Sequence, residues 1–314
     1  MKYLVTGGAG FIGSHIVDSL VQDGNDVRVL DNLSSGHREN LKGVSDKIEF
    51  IEGDVRDPDV CINAAKGCDG IFHEAALVSV VDSIERPRDN HDINITGTMN
   101  ILEAARVQGC KRIVFASSAA IYGNNPVLPK NETMLPEPLS PYGAAKICGE
   151  HCLQAYAEQF GISCIALRYF NVYGPRQDPG SMYSGVISRF VECTKNKTTP
   201  SIFGDGKQTR DFVYVDDIVQ ANLKAMTANE TITFLRCNVG TSTATCLLDV
   251  IEALRGISGT LAQPQFKPER QGDIRHSVAD ITLARDRLGF QPQKTDLKTN
   301  LGKILDFDSS TAED

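Results

Sequence analysis

Apolar residues in the first half of the chain follow two rhythms. Short, mostly apolar runs come first: Tyr3-Leu4-Val5, Val27-Arg28-Val29-Leu30, Ile48-Glu49-Phe50-Ile51 and Gly70-Ile71-Phe72-His73. Between them, apolar positions recur every three or four residues, as in Ile12, Ile16 and Leu20, with Val17 and Val21 beside them. The runs predict buried strands and the periodic stretches predict helices. The alternation continues with a helix over about 90–108, a strand at Arg112-Ile113-Val114-Phe115-Ala116, a helix over about 141–160 and a strand over 163–168. Such alternation implies crossover connections and a parallel sheet covered on both faces. The fold class is therefore α/β, a doubly wound parallel sheet. After about residue 171 the rhythm changes, with Gly174-Pro175, Pro179-Gly180, Gly204, Gly206, Pro264 and Pro268 punctuating shorter elements. The chain is expected to divide into a dinucleotide-binding domain, 1–171, and a smaller C-terminal substrate-binding lobe, mainly 172–314. Segments near 210–240 are expected to return to the large domain.

Thr6-Gly7-Gly8-Ala9-Gly10-Phe11-Ile12-Gly13 joins the first strand to the first helix. Gly7 and Gly10 suit a tight turn and a close approach of pyrophosphate to a helix N-terminus, and Gly13 lets that helix pack on the sheet. Placed between a strand and a helix, the triplet predicts the dinucleotide site of a Rossmann fold. Asp31 ends the second strand, 18 residues past Gly13. A carboxylate there can accept from adenosine ribose hydroxyls and repel a 2′-phosphate, which favours NAD over NADP; Arg38 could offset it. Alternatively, Asp31 could merely cap the turn Asn32-Leu33-Ser34-Ser35-Gly36, and Asp54 could as readily close a turn as line the adenine.

Ser140-Pro141-Tyr142-Gly143-Ala144-Ala145-Lys146 opens a predicted helix, with Ser140 a good N-cap and Pro141 a good first residue. Tyr142 and Lys146 then share one face. A phenol ionises near pH 10, so a base at neutrality needs its pKa lowered by about three units, roughly 4 kcal/mol. A nearby ammonium, a helix N-terminus and a cationic nicotinamide all push that way. Ser117 and Ser118 follow the fifth strand, at the end of the sheet where ligands bind. Ser118, one residue further out, is the preferred partner for a reacting substrate oxygen, although a plain loop serine would look the same.

Composition narrows the partners. The 314 residues are 41% hydrophobic and 23% charged, as in an ordinary globular protein. A net charge of −8, with Lys and Arg only scattered, argues against nucleic acid or an anionic membrane. An anionic substrate would need a local basic pocket. Nine cysteines include no Cys-x-x-Cys, so no metal site is expected, and the thiols read as small buried hydrophobes in a reducing cytoplasm. No run of 18 apolar residues occurs, and the apolar start is broken by Thr6-Gly7-Gly8, so neither a membrane span nor a secretory leader is expected.

Nine ordered segments, Thr6–Gly13, Asp31–Gly36, His73–Val80, Asn94–Thr98, Ser117–Gly123, Tyr142–Lys146, Arg168–Pro175, Phe203–Val215 and Arg270–Asp273, resemble the extended short-chain dehydrogenase/reductases, specifically UDP-glucose/UDP-N-acetylglucosamine 4-epimerases. The resemblance implies NAD as cofactor, with Tyr142 as base, Lys146 orienting the nicotinamide ribose and Ser118 assisting proton transfer. It places Gly7, Gly10, Phe11, Ile12, Gly13, Asp31 and Asn32 at the cofactor, with Ser34, Ser35 and Gly36 in the next turn. Asp54, Val55, Ala75, Ala76, Val78 and Asn94 would line its middle, and Ser117, Tyr169 and Val172 its nicotinamide end. Asn171, Arg210, Arg270 and Asp273 would hold the UDP group, the two arginines forking onto the diphosphate; on spacing alone they could be surface ion pairs. Ser277 stands where some members carry a bulky aromatic beside C2, which would leave room for an N-acetyl group.

The resemblance implies a cycle in which Tyr142 removes the O4 proton, C4 is oxidised, and the transient 4-keto sugar is reduced on its other face. Related dehydratases and decarboxylases carry a carboxylate just after the active serine or threonine, where this chain has Ala119 and Ala120. Those lyases, and a non-catalytic NAD-binding interaction protein, are the alternatives. Glu74 replaces a usual apolar residue, and Val78 stands where some members have lysine. A homodimer is expected by analogy, through helices near 91–108 and 141–160.

Overall fold

The six apolar runs become β1 (Lys2–Thr6), β2 (Asp26–Asp31), β3 (Ile48–Glu52), β4 (Gly70–His73), β5 (Arg112–Ser118) and β6 (Ser163–Tyr169). The structure is a computed structural model that describes residues 1–178, 185–229, 231–259, 263–269 and 274–310, the side chains of 308–310 excepted. Beyond β6 come four shorter strands, β7 (Asn171–Tyr173), β8 (Ser201–Phe203), β9 (Thr209–Arg210) and β10 (Phe212–Tyr214), before the chain rejoins the main sheet as β11 (Phe234–Val239). The seven long strands pair in the order β11-β6-β5-β4-β1-β2-β3, every pair parallel. The order reverses between β1 and β4, the switch point where a crevice opens at the strand C-termini.

Successive side chains on a strand point to opposite faces, so one run feeds two cores. Tyr3, Val5, Val29, Val114 and Leu167 pack with Ile16, Leu20 and Ile218 from the Phe11–Gln22 and Val215–Met226 helices. Leu4, Leu30, Ile71, Ile113 and Phe115 pack on the other face with Cys61, Ile101 and Leu153, from the helices Pro58–Ala65, Gly97–Gln108 and Pro141–Phe160. Each fully buried aliphatic contributes about 1.5–3 kcal/mol. A third core joins Tyr173, Phe190, Ile202, Phe212, Val250 and Leu301. Around it β7 pairs with β10, β9 with β12 (Thr245–Cys246) and β8 with β13 (Gln265–Lys267).

Local signals explain most boundaries. The Ser140 hydroxyl accepts from the Gly143 N–H at 3.1 Å, and Gly161 ends that helix at φ +70°. The stretch read as one helix over 90–108 is three pieces: Pro87–His91, a π-turn at Asp92–Thr96, and Gly97–Gln108. Asn94 sits in the π-turn, and its amide both accepts from Leu77 N (2.8 Å) and donates to Leu77 O (3.0 Å). The buried Asp211 carboxylate takes N–H bonds from Thr241, Ser242 and Ala279, tying together three distant segments beside β9.

Candidate active site

The crevice starts at the glycine loop. Gly7 has φ +67°, and a Cβ there would lie 2.8 Å from the Ala75 nitrogen. A Cβ on Gly13 would lie 2.2 Å from the Gly7 carbonyl oxygen. The loop is thus drawn against both the helix it opens and the end of β4. Gly10 is the helix N-cap and makes no side-chain cap, and the first turn carries no acidic residue. Its N–H groups and positive dipole end suit a pyrophosphate. Phe11 and Ile12 turn into the third core.

Asp31 is buried and bridges two loops: Oδ2 accepts from Ala9 N (2.9 Å) and Oδ1 from Leu33 N (2.8 Å). Gly36 is packed so that a Cβ would come within 3.0 Å of that carboxylate, and Asn32 accepts from Ser34 N. Asn32 also donates to Asp54 at 2.8 Å, while Arg56 grips Asp54 through two nitrogens and holds its pKa down to about 2. Arg38 is engaged elsewhere, 2.8 Å from Glu52 and stacked over Phe50. Val55 is buried, and its carbonyl accepts from Asn100. Asn94 holds the loop at Leu77, just beyond Ala75 and Ala76, while Val78 and Ser35 are exposed.

At the other end of the crevice lies the Pro141–Phe160 helix. Lys146 is buried, its ammonium 4.9 Å from the Phe115 ring centroid and 5.7 Å from that of Tyr142. Burial pushes the Lys146 pKa down to about 8, against the field of Glu74. Burial drives the Tyr142 phenol up, Ser118 hydrogen-bonds it and pulls it down, and the Glu74 charge pushes it up again. The shift runs opposite to the lowering expected from a nearby ammonium: desolvation outweighs the pull of Ser118, and the charge of Glu74 adds to desolvation. His73, whose ring nitrogens lie 2.8 Å from Thr6 Oγ1 and 3.1 Å from Thr98 Oγ1, is held neutral at about 3, by burial first and the Lys146 charge second.

The two serines that end β5 diverge as strand neighbours must. Ser118 meets Tyr142, whereas the Ser117 hydroxyl donates to the fully buried Glu150 at 2.6 Å. Glu150 in turn accepts two bonds from Arg168 (2.8 and 2.7 Å), and Arg168 donates onward to Tyr122. Any part Ser117 plays at a cofactor is therefore left to its backbone. Tyr169 is buried and bonded to Glu74 and Asn222; Val172 packs between two cores.

On the small-lobe side, Asn171 pairs in register with Phe212, close along the backbone to Arg210, and its N–H donates to Asp211 O. Arg210 donates to Thr209 O at 3.0 Å, and Ser277 N donates to the same carbonyl at 3.1 Å. Asn171, Arg210 and Ser277 thus gather around β9. Arg270 and Asp273 lie outside the described residues. Two contributors have no local signature in the sequence. Ser83 accepts from the backbone N–H of Tyr142 (3.2 Å), and Asn90 accepts from Asn94 (2.7 Å).

Residues 3–240 match the family described as the NAD dependent epimerase/dehydratase family. A UDP-glucose 4-epimerase of Mycolicibacterium smegmatis is 42% identical over 98% of each chain. The crystal structure of a UDP-glucose 4-epimerase from Thermotoga maritima with UDP-glucose superposes with a TM-score of 0.93 at 40% identity, covering 99% of this chain and 100% of the other. A UDP-N-acetylglucosamine 4-epimerase from Methanobrevibacter ruminantium, in complex with UDP-N-acetylmuramic acid, gives 0.94 at 37% identity, covering 99% and 98%.

Proposed function

The chain belongs to the NAD-dependent epimerase/dehydratase family, and from that premise we propose that it is an NAD-dependent UDP-hexose 4-epimerase, interconverting UDP-glucose and UDP-galactose and, with Ser277 leaving room beside C2, their N-acetylhexosamine forms. The observation that carries the reading is Tyr142, bonded to Ser118 and faced by Lys146, with alanine at 119 and 120 where a lyase would place its acid. NAD, when bound, supplies the two-electron oxidant and reductant for C4 and a positive charge beside the phenol. Tyr142 takes the proton of the 4-hydroxyl and returns it after the sugar has turned over. Ser118 holds the same oxygen and steadies the phenol. Lys146, charged at neutral pH, favours the phenolate that burial alone opposes. The uncapped helix start behind Gly10 receives the pyrophosphate, and Asp31 selects against a 2′-phosphate. Arg210, with Asn171 and the residues at 270 and 273, is proposed to hold the UDP group.

In this reading 1–171 carries the cofactor and 172–314 mainly the sugar nucleotide, with β11 lent back to the large sheet. The protein is proposed to act in the cytoplasm; the described residues contain no helix long and apolar enough to cross a membrane, and the nine cysteines are free thiols. It is proposed to pair as a homodimer through the adjacent Gly97–Gln108 and Pro141–Phe160 helices, whose Val107 and Phe160 are exposed; sedimentation at a single-chain mass would refute the pairing. The activity is tested by incubation with UDP-glucose, UDP-N-acetylglucosamine and UDP-glucuronate separately, followed by resolution of the C4 epimers. At least one of the first two should be converted, and Tyr142→Phe should abolish turnover while retaining NAD. A lasting 4-keto-6-deoxy product, released carbon dioxide, or full activity in Tyr142→Phe would overturn the assignment.

A further inference from the structure

Glu74 is a charged residue of the crevice to which the mechanism gives no step. It leaves β4 beside the glycine loop, its N–H donating to Thr6 O at 3.2 Å. Its carboxylate turns toward the sheet face covered by the Val215–Met226 helix, where Oε1 accepts from the Tyr169 hydroxyl at 3.0 Å. The Tyr169 oxygen itself accepts from the amide of Asn222 at 2.7 Å, and Asn222, fully buried, also donates to Ile218 O at 2.9 Å. With its oxygen occupied by an amide donor, Tyr169 is directed to give its proton to Glu74. The chain of bonds therefore presents a hydrogen-bond donor to the carboxylate, an arrangement that favours its ionised form. An enclosed carboxylate ordinarily sits against a cation. Among the described residues Glu74 has no ion pair within contact distance, and the cation whose field reaches it is Lys146.

We propose that Glu74 is a positioning residue of this site, held by Tyr169 and Asn222 so that its charge sets the ionisation of the Tyr142–Lys146 pair. The proposal rests on the epimerase reading of that pair. The groups that face Glu74 are Tyr142 and Lys146 from the Pro141–Phe160 helix, Tyr169 from β6 and uncharged Asn222 from the Val215–Met226 helix. Its chain neighbour His73 stays neutral, and the Cys237 thiol of β11 lies behind Tyr169. Ionised Glu74 holds Lys146 in its ammonium form and makes Tyr142 harder to deprotonate; protonated Glu74 does the reverse on both. Burial pushes its own titration up to about 7, against the Tyr169 bond and the Lys146 charge. Two ionisations that act on each other in this way belong to the pair rather than to either residue. No carboxylate follows Ser118 in the chain, where Ala119 and Ala120 stand; the acid whose charge acts on the pair is Glu74.

The test uses Glu74→Gln, which keeps the shape and an acceptor for Tyr169, and Tyr169→Phe, which keeps the carboxylate and removes its donor. Tyr142 is titrated by tyrosinate absorbance in the NAD-loaded protein without sugar nucleotide, as the difference between each variant and the same variant carrying Tyr142→Phe; this isolates one of eight tyrosines. In Glu74→Gln the Tyr142 ionisation should move to lower pH by on the order of one unit, and the acidic limb of kcat/KM should move with it. In Tyr169→Phe, Glu74 is more readily protonated, so both should move the same way by less. Should the first variant not fold, the second carries the test alone. Titrations and pH profiles that superimpose on the wild type would overturn the proposal, including where stability falls. Because the absorbance titration needs no turnover, a shift seen in a protein that converts no sugar nucleotide would support the Glu74 role while the epimerase reading failed, and turnover without a shift would do the opposite.

Discussion

Replacing Glu150 by Gln alters charge and one hydrogen-bonding face while keeping shape, at a point where the structure leaves no room for water to compensate. The Glu150 and Arg168 side chains are 0% and 1% exposed. Three donors converge on the two carboxylate oxygens: Arg168 Nε at 2.8 Å, Arg168 Nη2 at 2.7 Å and Ser117 Oγ at 2.6 Å. A glutamine offers one acceptor oxygen, so its NH₂ must face an N–H of the Arg168 guanidinium, which has no lone pair to accept it. The guanidinium, whose remaining bond goes to Tyr122, keeps its charge without a counter-ion. Breaking a buried pair in this way costs about 3–5 kcal/mol, a large part of the roughly 5–15 kcal/mol that holds a domain folded. The chain has no tryptophan, so far-UV circular dichroism in urea is the natural measurement. The expected result is a fall in midpoint at unchanged slope equivalent to about 3–5 kcal/mol, with turnover falling too because Ser117 anchors Ser118. Glu150→Leu combined with Arg168→Met should recover much of the stability, since no charge is then stranded. A Glu150→Gln protein within about 1 kcal/mol of wild type would show that the interior tolerates an unpaired guanidinium and refute the reasoning.

Gly13→Ala, whose Cβ would fall 2.2 Å from the Gly7 oxygen, should cost about 1–3 kcal/mol and weaken NAD, seen by calorimetric titration; unchanged affinity would count against the loop as the pyrophosphate seat. Asn94→Ala should free both polar groups of Leu77, lower stability by about 1–3 kcal/mol and loosen NAD binding, measured in the same two assays. Glu74 also predicts a pH slope in stability. Its native pKa is raised to about 7 against 4.5 for an ordinary glutamate, so between those values the unfolded chain has released a proton that the native state keeps. Stability contributed by Glu74 is complete below about 4.5 and is lost as pH rises through about 7; Glu74→Gln should therefore gain on wild type across that window, and parallel urea-denaturation curves would refute it.

What could be read from the sequence was local. The strands and the glycine loop follow from apolar runs and from residues that tolerate no Cβ, and the Tyr142–Lys146 spacing follows from one helical turn. Strand alternation alone separates Ser117 from Ser118. The rest depends on partners far apart in the chain. Tyr169 is 95 residues from Glu74, and Ser83 is 59 residues from the Tyr142 backbone it supports. Nothing near Asp92–Thr96 announces a π-turn, because its partner is the loop at Leu77. The direction in which the fold itself moves the Tyr142 phenol is not legible in the sequence for a related reason: Lys146 can be read one helical turn away, but the desolvation and the Glu74 charge that raise the phenol exist only once the fold has closed.

The strand Phe234–Val239 pairs with Cys164–Tyr169, yet sixty-odd residues, the strands β7 to β10 and the Val215–Met226 helix among them, are synthesised between the two. During translation the emerging sheet therefore ends in an open, apolar border, Cys164-Ile165-Ala166-Leu167, until its cover arrives. A fragment cut at residue 171 would keep that border permanently and should precipitate rather than behave as a free-standing cofactor binder. The order of synthesis thus leaves the main sheet dependent on a strand that arrives late in the chain.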